Sequence, residues 1–149
     1  MPRRRHRHWA GGRQGGTIND PHTPMGVLDR LGSALCDLAP LHLPTGVSLR
    51  DDRVALVVPG VTYDGLLDAM FHMIRQNTAA SPAVLIKLLE VLTAVASCEK
   101  VPERVAGLQR HADLVRGDSH RAIATPEDRD ELRQRHARFG ATRSGAWPR

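Results

Sequence analysis

Apolar residues along this chain recur mostly at helical spacing. Leu28, Leu31, Leu35 and Leu38 form one stripe and predict a helix from about Thr23 to Ala39. Thr23 can cap it with Pro24 at the favoured first position; Asp20 with Pro21 offers the same signal earlier. Pro40 and Pro44 end it and frame a loop. The pattern then changes to that of strands. Val47–Leu49 and Val54–Val58 flank Arg50-Asp51-Asp52-Arg53 and predict a small hairpin, terminated by Pro59-Gly60. Two strands alone are marginal, so the hairpin is expected to lean on helices. Helical spacing returns after Thr62, which caps a second helix to about Gln76 with Leu66, Leu67, Met70, Phe71 and Ile74 on its buried face.

Ser81 is the expected cap of a third helix, with Pro82 at its first position. Val84, Leu85, Leu88, Leu89, Leu92, Val95 and Ala96 give it a wide apolar face, which marks it as the central helix. Val101, Val105, Leu108, Ala112 and Val115 predict a fourth helix from about Pro102 to Arg116. Thr125-Pro126-Glu127-Asp128 opens a fifth, expected on the surface because it carries only Leu132, Ala137 and Phe139. The predicted fold is mainly α: a four- to five-helix bundle-like domain with one small β-hairpin after the first helix. The helical domain spans 18–139, between disordered tails at 1–17 and 140–149.

Composition agrees with a single domain of 149 residues, large enough to bury a core without disulfide or metal. Aromatics are only 3%, so aliphatic side chains must fill that core. The net charge of +5 is unevenly spread. Residues 1–16 hold five arginines and no acid, and five more arginines follow Glu131, again without an acid. Between them lie all 16 acidic residues, so the module is an acidic body with two basic ends. Such ends could meet nucleic acid or an anionic surface, but the acidic body disfavours nucleic acid as a partner.

Candidate chemistry is sparse. Cys36 and Cys98 lie far apart within apolar-periodic stretches and read as two buried free thiols; a disulfide between them is not supported by spacing. The eight histidines include no metal-binding pair on one helix face, so no metal site is inferred. Gly11-Gly12-Arg13-Gln14-Gly15-Gly16 follows no strand and lacks a Gly-Lys-Ser/Thr ending, so it reads as linker. No catalytic residue and no cofactor site is inferred. The most hydrophobic stretch, Ala83–Cys98, contains Lys87 and Glu90 and is too short and too charged to span a bilayer. As it stands, the chain is expected to be cytoplasmic.

Two polar spots remain: Asn19-Asp20-Pro21-His22-Thr23 at the first helix start, and Arg75-Gln76-Asn77 at the second helix end. Each has an ordinary structural explanation, as caps or as a dipole-complementing arginine. Together they carry a resemblance. Ile18-Asn19-Asp20-Pro21-His22-Thr23-Pro24 with Leu28-Asp29-Arg30-Leu31, and Phe71-His72-Met73-Ile74-Arg75-Gln76 with Ser81-Pro82-Ala83-Val84, resemble the signature of a bacterial family of predicted membrane proteins, DUF2254. His22 and Pro24 depart from the family's Phe and Ala, and the Pro is expected to move the helix cap from Asp20 toward Thr23. The resemblance runs from about Ile18 to His136 and implies the C-terminal soluble portion of a longer protein, whose relatives lie in the cell membrane and whose transmembrane region this chain lacks. It implies no reaction and no cofactor. It marks Asn19, Asp20, Thr23, Arg75 and Gln76 as a polar cluster, with Asp20 and Arg75 as the expected charge pair.

Three functions compete on this reading. The first is a non-enzymatic interaction or regulatory module whose partner is a membrane-embedded portion or a second copy. The second is a binder of nucleic acid or anionic surfaces through the Arg-rich ends. The third is a small enzyme with a polar site around Asn19, Asp20, His22 and Arg75; it ranks last because no nucleophile, metal or cofactor motif accompanies those residues.

Overall fold

Prolines set the starts of three helices, where a missing N–H costs nothing and φ is already helical. In the computed structural model, which describes residues 20–44 and 46–143, Pro82, Pro102 and Pro126 open α3, α4 and α5. The full order is α1 His22–Leu38, β1 Val47–Arg50, β2 Arg53–Val57, α2 Tyr63–Asn77, α3 Pro82–Cys98, α4 Pro102–Ala122 and α5 Pro126–Arg143. The fold is mainly α with one two-stranded antiparallel hairpin after the first helix. Because α5 continues to Arg143, residues 140–143 extend the helical domain rather than begin a tail. The expected tail at 1–17, and 144–149 of the tail expected at 140–149, lie outside the described residues.

The helix starts separate good cap readings from poor ones. Thr62 Oγ1 accepts the Gly65 N–H at 3.1 Å and caps α2 as predicted. Ser81 stands in the same place before α3, but its side chain makes no capping bond. At α1 the earlier signal prevails. The Asp20 carboxylate accepts the His22 N–H at 2.9 Å and the Thr23 hydroxyl at 2.7 Å, so Asp20 rather than Thr23 anchors the start. These two donors, the hydroxyl first, hold the Asp20 carboxyl below its ordinary pKa.

Helix α3 is the core. Its Val84, Leu85, Leu88, Leu89, Val91, Leu92, Val95 and Ala96 are all buried, and α1, α4 and α5 pack around it. Each fully buried Leu contributes roughly 2 kcal/mol by leaving water. Helix α1 approaches α3 closely at Gly32, where an added Cβ would sit 2.7 Å from Val91 Cγ1. Helix α5 lies on the surface as expected, with most of its residues at least partly exposed, but one face of it is docked. Leu132 and Phe139, seven residues apart on one face, are buried against α3 and α4, and an ion pair from Arg135 to Glu90 and a hydrogen bond between His136 and Asp113 fasten the same face. Helix α4 also runs past its predicted end at Arg116, to Ala122.

The hairpin departs most from expectation, because no helix among the described residues covers it: every residue of both strands is exposed. Asp51 and Asp52 adopt φ of 51° and 57°, the left-handed pair that a two-residue hairpin turn requires. Gly46, at φ 72°, closes the base, where its carbonyl accepts the Val58 N–H at 2.7 Å. Val47 pairs with Val57 and Ser48 with Leu56, but Leu49 pairs with Val54 and Arg50 with Arg53. The register shift makes Ala55 a bulge. Directly opposed residues share a face. Val47, Leu49, Val54 and Val57 therefore line one face, while Ser48, Arg50, Arg53 and Leu56 line the other.

Candidate functional site

Helices α2 and α4 meet along a polar seam. On α2, Asp64, Asp68, Phe71 and Arg75 recur at spacings of three to four residues, which places them on one face. On α4, Gly107, His111 and Asp118 face them, with Arg110 beside the line. Contacts progress in the same order along both helices, so the two run parallel. Gly107 permits the close approach: a Cβ there would lie 2.3 Å from Asp64 Oδ1 and 3.2 Å from Leu67 Cδ1.

At the outer end of the seam, Arg110 donates to Asp68 at 3.0 Å and lies 4.0 Å from Asp64. That hydrogen bond is the main reason the Asp68 carboxyl sits below its ordinary pKa. In the middle, His111 is fully buried, its ring edge-on to Phe71 at 5.8 Å between centroids. His111 Nε2 is 3.2 Å from Asp68 Oδ1 without hydrogen-bond alignment, and neither ring nitrogen has a hydrogen-bond partner among the described residues. Burial, reinforced by the nearby Arg110 charge, pushes the His111 pKa down against the opposing pull of Asp68. Burial thus favours the neutral ring.

At the inner end, the Arg75 guanidinium pairs with Asp118 in the interior, each residue 7% exposed. Asp118 also accepts from the exposed Arg121 one turn along. Arg75 Nη1 is engaged, while its Nε finds no protein acceptor.

The expected Asp20–Arg75 charge pair does not form. Asp20 is exposed and its carboxylate is occupied by His22 and Thr23, whereas Arg75 is turned toward α4. The reason is architectural: α1 packs on α3 while α2 packs on α4. Thr23 stays with Asp20, Gln76 is exposed, and Asn19 lies outside the described residues. His111 and Asp118 carry no apolar signal and escaped the sequence reading. For His111 the trace was complementary charge, with Asp64 and Asp68 on α2 and Arg110 beside His111 on α4; Asp118 left none.

The thiols are also arranged differently than expected. Cys36 is half-buried and Cys98 exposed, both free. The Cys36 thiol is pushed up to about 11, by burial first and then by the nearby Cys98 thiol. Among the described residues no three metal-ligating side chains converge, and no helix is long and apolar enough to cross a membrane.

Comparison with known proteins places these features in a family. No curated protein and no solved structure matches the chain. A family model described as a predicted membrane protein, DUF2254, matches residues 16–94. The matched stretch includes Asp20 and Arg75 and ends inside α3, so Asp118, the partner of Arg75, lies beyond it. With more than half its length matched, the chain belongs to the DUF2254 family of predicted membrane proteins.

Proposed function

We propose that this chain is a non-enzymatic interaction module of its membrane-protein family, and that it docks through the apolar face of the hairpin onto a second copy. One observation carries the reading: Leu49, Val54 and Val57 share that face and are 63%, 63% and 66% exposed. Aliphatic side chains gathered on one uncovered face mark an interaction surface rather than ordinary scattered exposure. The face carries no charge, so two copies related by a twofold axis can meet without burying an ion. The burial of the seam's histidine and ion pair accords with a structural part for them.

Covering these side chains releases about 1 kcal/mol or more apiece. Set against an association cost of about 4–15 kcal/mol, that makes a weak contact. A membrane setting raises the effective concentration of copies, where a weak contact suffices. The test is light scattering coupled to size exclusion over a wide concentration range. Leu49→Thr/Val54→Thr/Val57→Thr keeps strand propensity while removing apolar surface. Concentration-dependent dimerisation lost in the triple variant supports the proposal. A wild-type chain that stays monomeric throughout refutes it.

A further inference from the structure

We infer that the crevice between the end of α4 and the start of α5 binds a phosphate group. The crevice holds about 450 Å³ and is lined by Arg116, Ser119, His120, Arg129 and Arg133. Its construction follows from helix geometry. Arg116, Ser119 and His120 stand at i, i+3 and i+4 on α4, and Arg129 and Arg133 at i and i+4 on α5, so each set faces the crevice from one side. The short Ile123–Thr125 connection fixes the two sets against each other.

Charge is in excess there. Arg116 lies 3.9 Å from Asp113, but that carboxylate is engaged more closely by His136 at 2.8 Å. Arg133 is paired with Asp130 at 2.6 Å on its own helix. Arg129 has no carboxylate partner among the described residues; its guanidinium reaches the Ala124 carbonyl at 3.4 Å, which holds it at the crevice mouth. Glu127 and Asp128 in the first turn of α5 make no ion pair with the three arginines, and Asp118 is turned away onto Arg75 and Arg121. Three guanidiniums and an imidazole supply the donors that a tetrahedral dianion accepts, while the Ser119 hydroxyl donates to the Arg116 carbonyl at 2.8 Å and shapes the wall. The volume admits a phosphorylated small molecule or a phosphomonoester lipid headgroup. This site is independent of the hairpin face.

The test is calorimetric titration of the full chain with inorganic pyrophosphate, for wild type, Arg129→Gln, Arg116→Gln and the control Arg53→Gln, each checked by circular dichroism melting. Saturable wild-type binding that weakens roughly tenfold in each crevice variant, but not in Arg53→Gln, supports the inference. A parallel arm sediments the chain with phosphatidylcholine vesicles with and without phosphatidic acid. Binding dependent on phosphatidic acid and displaced by pyrophosphate identifies a lipid source; pyrophosphate binding without vesicle binding identifies a soluble ligand. No saturable pyrophosphate binding, or binding equal in wild type and both crevice variants, overturns it. In the second case the Arg-rich ends would be the carriers.

Discussion

Removing the Asp118 carboxylate should destabilise this domain strongly. Arg75 is 7% exposed and Asp118 is its ion partner, so Asp118→Ala leaves a buried guanidinium without a counter-charge. Breaking one side of a buried pair costs about 3–5 kcal/mol. Domains of this size are stable by only about 5–15 kcal/mol, so the loss takes a large fraction of the whole. Asp118→Asn retains an acceptor and should lose less, about 1.5–3 kcal/mol. Removing both partners together is a different perturbation. Arg75→Met/Asp118→Leu fills the same space without a charge and should fall within about 1 kcal/mol of wild type or above it. The cycle therefore predicts strong non-additivity, with the double variant more stable than either single one. Urea unfolding followed by circular dichroism measures all four proteins, and an unchanged slope with denaturant confirms that native and unfolded states remain comparable. A cost below about 1 kcal/mol for Asp118→Ala would refute the reasoning, since it would mean that Arg75 reaches water.

Other outcomes follow from neighbouring features. The folded-state pKa of His111 is depressed, so below about 6.5 the unfolded chain takes up a proton that the native ring resists. Stability should fall as pH drops through that value, and His111→Phe should flatten the dependence of the urea midpoint between pH 7 and pH 5. Gly32→Ala gains about 1 kcal/mol of helix propensity but meets the Val91 methyl at 2.7 Å. The stiff β-branched side chain should make the net effect a loss of about 1–2 kcal/mol in thermal or urea unfolding. Alkylation with iodoacetamide near pH 8, read by peptide mass, should modify the exposed Cys98 well before Cys36, whose thiol burial pushes up to about 11. Equal rates at the two cysteines would contradict their placement.

The legible parts of this fold are those written in apolar spacing and proline placement. The α3 core could be read directly, because Val84 through Ala96 show a wide apolar face and Pro82 marks its start. The illegible parts are those where polar residues act as core. Periodicity fades after Val115, and Gly117-Asp118-Ser119-His120 reads as a helix end, yet α4 continues because Asp118 and Ser119 are buried against its neighbours. Helix α5 was underrated for a related reason. Two well-placed knobs, Leu132 and Phe139, with one ion pair and one histidine–carboxylate hydrogen bond, dock it more firmly than a count of apolar residues suggests. The hairpin's strands and turn were readable, but its bulge was not. That bulge collects the apolar side chains on one face, and no local pattern told that the face would stay uncovered. At the candidate site, Arg75 was singled out by resemblance while its true partner, Asp118, was not. Pairing across 43 residues is a property of packing, and local sequence does not encode it.

The measurement that bears most directly on the interaction surface is an isotope-filtered nuclear Overhauser experiment. Labelled and unlabelled full-length chains are mixed at high concentration, and only contacts between copies are recorded. The account predicts intermolecular cross-peaks among the methyl groups of Leu49, Val54 and Val57, lost in the triple threonine variant. Intermolecular cross-peaks confined to the helices, or none at concentrations where the chain is dimeric, would contradict it.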